Sequence, residues 1–156
     1  MYKRQIQKGT PTESTRVSKL TQETFATNAT VRQQQEKLLV ERKMPRGTRS
    51  MSDGTYSGWL YEVENEFLDT YKLFLWHDPT TSRYKVSLVS PRLEGTVDGH
   101  GCHLYHDGTL CLNDGIHGYK DMERAYARSV LWTRGASCFQ RGLGFQLSKD
   151  SSAVSL

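Results

Sequence analysis

Apolar and polar positions alternate most clearly in the middle of the chain. Trp59, Tyr61, Val63, Asn65 and Phe67 fall on one side of a period of two, with Glu62, Glu64 and Glu66 on the other. That alternation predicts a half-buried strand. Tyr71 to Trp76 is more continuously apolar and predicts a second strand. Asp78-Pro79-Thr80-Thr81-Ser82 supplies turn chemistry, and Tyr84, Val86 and Leu88 alternate again before Ser90-Pro91. Three strands joined by short connections predict an antiparallel meander.

The period changes on either side. From Thr30 to Lys43 good helix formers dominate, and Gln35, Leu38, Leu39 and Arg42 share one face. Pro45 and Gly47 stop that helix, and a loop over 47–58 leads to the first strand. Downstream, Asp121 is placed to cap a helix from Met122 to Phe139, with Met122, Ala125, Tyr126, Val130 and Thr133 on one flank and Trp132 and Ala136 beside them. Gly142-Leu143-Gly144-Phe145 is expected to fold back onto the domain. The ends differ in kind. Residues 1–30 hold few large apolar groups to offset the entropy of ordering, so a flexible arm is expected there. A loose tail is expected over 149–156. The domain between them is placed at 31–148.

Charge follows the same division. Residues 1–50 hold eleven Lys/Arg and four Asp/Glu, a net of +7; residues 51–156 hold ten and thirteen, a net of −3. A basic arm can meet nucleic acid or an acidic protein surface. This one lacks interleaved aromatics for base stacking, so the reading favoured is a solvated lead-in, with no nucleic-acid partner expected. No apolar run approaches the ~20 residues that span a bilayer. The opening Met1-Tyr2-Lys3-Arg4-Gln5-Ile6-Gln7-Lys8 lacks the apolar segment of a secretory signal. A cytoplasmic protein without a membrane partner is expected. Three cysteines, Cys102, Cys111 and Cys138, give no disulfide framework and fit a reducing compartment.

Chemistry concentrates in residues 94–118, which hold six glycines, four of the five histidines and two of the three cysteines. Asp107-Gly108 is a turn signal. Leu110 and Leu112 bracket Cys111 with apolar anchors, which places its thiol beside a tight loop. A cysteine that carries an acyl group needs that presentation: accessible to a large partner, yet fixed. Taken from the residues alone, a cysteine between leucines is more often a core residue.

The string His103-Leu104-Tyr105-His106-Asp107-Gly108-Thr109-Leu110-Cys111-Leu112 resembles the active-site segment of ubiquitin-conjugating enzymes. It resembles more closely the bacterial conjugating-enzyme-like proteins encoded with antiphage CBASS nucleotidyltransferases. In those, an H-x-Y-x-D-G-x-L-C-L segment precedes a helix with Asp-Met near its start and a tryptophan further on; Asp121-Met122 and Trp132 occupy similar places here. The likeness spans about 31–148 and is specific over 103–112. It implies an α+β, ubiquitin-conjugating-enzyme-like fold: the meander, packed with the leading helix and the helix after the loop. It implies transfer of a protein C-terminus, that of a CBASS nucleotidyltransferase or another ubiquitin-like donor, through a thioester on Cys111 to a target amine, in antiviral defence.

His103 matches the histidine that supports the loop. Two departures stand out. Leu104-Tyr105 replaces the Pro-Asn pair of the eukaryotic family, and the His-to-Cys spacing is shorter. Tyr105, His106 and Asn113 are then candidates by proximity for steadying an oxyanion. Asp114 is a candidate to orient or deprotonate the attacking amine, or else to cap a turn. Cys138 is read as packing. No cofactor is expected. No Gly-rich nucleotide fingerprint is present, so carboxylate activation would fall to a separate activating enzyme, or the system would dispense with one.

Two rivals remain at this level. His100, Cys102, His103, His106, Cys111 and His117 lie within eighteen residues, and zinc favours such ligands. There is no Cys-x2-Cys pair and no hydrolytic zinc motif, so no metal is expected. The other rival is a non-catalytic protein- or nucleic-acid-binding module in which the Cys/His loop is structural.

Overall fold

The computed structural model describes residues 30–93, 102–112 and 117–147. The expected flexible arm before Thr30, the tail after 148, and His100, Asn113 and Asp114 lie outside them. The chain divides into two units, Met1–Arg42 and Lys43–Leu156. In the first, residues 30–42 belong to a helix, α1, that runs over 30–43, with an Arg32–Glu36 ion pair at 3.0 Å one turn apart.

The second unit is α+β. Four strands form an antiparallel sheet in sequential order: β1 (Arg49–Ser52), β2 (Ser57–Glu64), β3 (Thr70–Asp78) and β4 (Arg83–Ser90). A helix, α2 (Met122–Gln140), follows. The meander is therefore one strand larger than the sequence predicts. β1 is four residues of Arg, Ser and Met, pairing Arg49 with Leu60 and Ser52 with Ser57. It has no apolar alternation, so register with β2 and not hydrophobic pattern makes it a strand.

β2 is shorter than the alternation predicts. It stops at Glu64, and Asn65 turns the chain. Its Oδ1 accepts from the N–H groups of Phe67 and Asp69, and its Nδ2 donates to the Thr133 carbonyl and to Ser137 Oγ on α2. An asparagine side chain that substitutes for ladder bonds wins here over periodicity. β3 runs longer than the apolar stretch at both ends and is the most buried strand, with Tyr71, Leu73 and Leu75 fully covered.

Tyr61 pairs with Leu73 and Val63 with Tyr71, so these side chains share one face of the sheet. α2 packs on that face. The Tyr61 hydroxyl meets Ser129 Oγ at 2.7 Å and the Tyr71 hydroxyl meets Ser137 Oγ at 2.8 Å. Trp132 meets Tyr71 edge-on at 5.8 Å between ring centroids. The helix seam is thus more polar than the sequence reading supposed. Ser129, Thr133 and Ser137 are buried and Val130 is only half-buried. Each buried phenol is satisfied by a serine, which offsets its desolvation.

The expected cap holds: Asp121 Oδ1 accepts from the Glu123 N–H at 3.0 Å. At the other end, the Gly142 and Leu143 N–H groups return to the carbonyls of Phe139 and Cys138. The following segment does fold back, and Phe145 is buried over Gly135. A Cβ at Gly135 would lie 2.4 Å from the Phe145 ring. Gly135→Ala is therefore expected to destabilise by roughly 1–3 kcal/mol, although alanine is the better helix former. Urea unfolding checks this, and a stabilised variant would contradict the packing. Among the described residues no helix is long and apolar enough to cross a membrane.

Candidate active site

Residues 102–112 form a small hairpin. Leu104 bridges Leu110, the Tyr105 N–H donates to the Thr109 carbonyl at 2.8 Å, and the Gly108 N–H donates back to the Tyr105 carbonyl at 3.0 Å. Gly108 sits at φ +86°, where a side chain would be strained. Asp107 Oδ1 accepts from the Thr109 N–H at 2.9 Å. Burial raises the Asp107 carboxyl, but the Thr109 bonds and the His117 and Lys85 charges outweigh it, leaving it below the usual carboxylate range.

The hairpin is tied to two rigid elements. The Leu110 N–H donates to the Val86 carbonyl and the Leu88 N–H to the Gly108 carbonyl, both at 2.8 Å, so the hairpin extends the β4 edge of the sheet. From α2, Trp132 Nε1 donates to the carbonyls of both Cys102 and His103 at 3.0 Å. The His103 carbonyl also accepts from the Cys111 N–H at 2.8 Å. One carbonyl thus joins the thiol-bearing residue to the core tryptophan. His103 adopts φ +52°, which costs a non-glycine residue about 1–2 kcal/mol. Its ring packs on Phe145 at 4.5 Å.

The three cysteines differ sharply. Cys102 and Cys138 are buried, at 0% and 1% exposure, and Cys111 is half-buried. Burial pushes the Cys102 thiol up to about 12, so it stays protonated and inert. The Tyr105 hydroxyl is in hydrogen-bonding contact with the Cys111 thiol. That bond, more than the partial burial, holds the phenol proton, pushing Tyr105 up to about 12. Of the expected site residues, then, Cys111, His103 and Tyr105 meet in one hairpin.

The sequence offered His117 only as one of the candidate zinc ligands, with no sign that it would stand beside Tyr105. The chain brings it back through an isolated pairing of Tyr119 with Tyr84 on β4. Its ring lies 4.4 Å from that of Tyr105. Its Nε2 is buried and has no hydrogen-bond partner among the described residues. Burial first, then the Lys85 charge, pushes the imidazole below its ordinary value, against the pull of Asp107 and Asp78. Nothing in the local spacing signals this; a pairing between distant residues does it. Tyr119 continues the frame, its hydroxyl donating to the Leu112 carbonyl at 3.3 Å and accepting from Arg128 Nε at 3.2 Å.

Behind the hairpin, Lys85 of β4 is buried against Asp78 at 2.7 Å. Its bond and charge hold the Asp78 carboxyl below the usual range, against burial. Lys85→Met leaves that carboxylate unpaired and is expected to cost about 3–5 kcal/mol at pH 7. The sign with pH follows from the lowered folded-state value. The pair's contribution is complete above the unfolded value near ~4 and is lost as pH falls through the folded value. The stability gap between wild type and variant therefore narrows below about pH 4. Urea melts at pH 7 and pH 3 measure both, and an equal gap at the two would contradict the pairing.

Among the described residues no three of His, Cys, Asp and Glu stand together as metal ligands. No family model, curated protein or solved structure matches the chain.

Proposed function

We propose that this protein is a thioester carrier with a ubiquitin-conjugating-enzyme-like fold, in which Cys111 accepts the C-terminal acyl group of a donor protein and passes it to an amine. The observation that carries the reading is the contrast among the thiols. Two are buried in the core, and the third is half-exposed on a hairpin pinned to β4 and to α2. Such a thiol is fixed and reachable at once, which is what an acyl carrier needs. The meander followed by a helix, and the resemblance over 103–112, support the same conclusion.

In loading, the Cys111 sulfur attacks the activated carboxyl carbon and the leaving group departs with its electron pair. In transfer, an amine attacks the thioester carbon and the sulfur leaves. The protein contributes alignment of the two partners and donors for the charge that develops on oxygen. The donor class is that implied by the resemblance, the C-terminus of a CBASS nucleotidyltransferase or a ubiquitin-like protein, activated by a separate enzyme where one is encoded. The test is adduct formation with candidate donors on a non-reducing gel. A thiol-sensitive band of higher mass that needs Cys111 supports the carrier. Full conjugation by Cys111→Ala would contradict the carrier role of Cys111.

A further inference from the structure

Tyr105 and Cys111 stand on the two arms of one hairpin, joined by the Leu104–Leu110 pairing and by the bond from the Cys111 N–H to the His103 carbonyl. The geometry points to Tyr105 as a catalytic residue: its hydroxyl, in contact with the Cys111 sulfur, is the donor to the oxyanion of the transfer step once that sulfur is acylated. This rests on the carrier reading of Cys111.

Three observations place the phenol for that work. Its main chain is held on both sides of the turn, by the bonds to Thr109 and from Gly108. Its ring is backed by His117 at 4.4 Å. Its hydroxyl touches the Cys111 thiol, while Tyr105 as a whole is 38% exposed. The residue therefore stands at the border between sulfur and solvent, where a donor's carbonyl must arrive. The phenol also keeps its proton well above neutral pH, so it acts as a donor throughout.

The step balances as follows. The lone pair of an amine nitrogen attacks the thioester carbon and forms the C–N bond. The carbonyl π pair moves to oxygen, and the Tyr105 O–H donates to that oxyanion. The pair then returns, the C–S bond breaks, and its electrons leave on sulfur. The ammonium proton passes to water. The product is an amide and a Cys111 thiolate, to which the Tyr105 O–H swings back. A thioester sulfur is a poor acceptor, so acylation itself frees the hydroxyl for the neighbouring oxygen. A neutral sulfur and an anionic oxygen compete for one donor, and charge decides.

Tyr105→Phe removes the oxygen and keeps the ring against His117. Two measurements read the result. In the first, the protein is acylated with the mercaptoethanesulfonate thioester of a glycylglycine peptide, and aminolysis by free lysine is followed by intact mass. Removing an oxyanion donor is expected to slow that step roughly 10²–10³-fold. In the second, urea unfolding of the variant is compared with wild type, so that slow transfer is read only from a folded protein. Slowed aminolysis with wild-type unfolding supports the assignment. Aminolysis within twofold of wild type, in a variant that is acylated and folded, overturns it and leaves the carrier reading standing. A wild-type Cys111 that takes no acyl group sinks the carrier reading, and the Tyr105 assignment with it.

Discussion

Trp132→Ala is expected to destabilise the protein by about 3–5 kcal/mol. The indole has 0% exposure. It fills the space between α2 and the sheet and meets Tyr71 edge-on. Its N–H also joins the carbonyls of Cys102 and His103. Truncation removes the ring's burial, opens a cavity and takes the indole donor from both carbonyls, of which that of His103 keeps the Cys111 N–H. Set against a typical total of about 5–15 kcal/mol, such a loss is severe. Thermal melting is expected to fall by roughly 10–20 °C. Trp132→Phe separates the two roles. It keeps most of the ring and loses the N–H, so stability falls by only about 1–2 kcal/mol, while the hairpin loses its tie to α2. Iodoacetamide should then label Cys111 with an altered rate in a protein that still melts cooperatively. Equal melting of wild type and Trp132→Ala would mean that the tryptophan is not the keystone described.

The second large effect is chemical. Cys111→Ala is expected to abolish acyl transfer, because no other described thiol is both exposed and fixed. Cys102→Ala and Cys138→Ala remove buried sulfurs and are expected to lower stability modestly with transfer retained. Stability of Cys111→Ala should stay close to wild type, since its side chain is half-buried and its N–H bond to the His103 carbonyl is a backbone bond that survives. Conjugation assays beside urea melts distinguish the two kinds of loss. Transfer retained by Cys111→Ala and lost in Cys102→Ala would move the centre of the site.

The sequence made some of this legible and hid the rest, for physical reasons. The alternation around Tyr61 and Val63 located β2, because one face of that strand is buried against α2. Asp121 announced the start of α2, because a capping carboxylate is a local feature. β1 was hidden: Arg49–Ser52 buries little, and its strand state depends on pairing with β2, Arg49 with Leu60 through Ser52 with Ser57. Asn65 and Phe67 kept the alternation of β2 beyond its end, since a turn held by an asparagine side chain leaves no mark on a two-residue period. The seam of α2 was misjudged at Val130, because Tyr61 and Tyr71 select buried serines, a choice only the facing strand explains.

The candidate site divides in the same way. Cys111, Asp107-Gly108 and the flanking leucines are contiguous, so the hairpin could be read from the string. Tyr105 was a candidate by proximity alone, and its contact with the thiol comes from the pairing of Leu104 with Leu110 across the turn. His117 and Lys85 could not be found that way. They arrive from outside the hairpin, one through the Tyr119–Tyr84 bridge and the other from β4.

The carrier claim is tested most directly by intact mass spectrometry of the purified protein mixed with an activated donor, before and after addition of a small thiol. The expected result is one acyl adduct per chain, mapped by digestion to Cys111 and removed by the thiol. An adduct that survives the thiol, that maps elsewhere, or that forms equally on Cys111→Ala would contradict it.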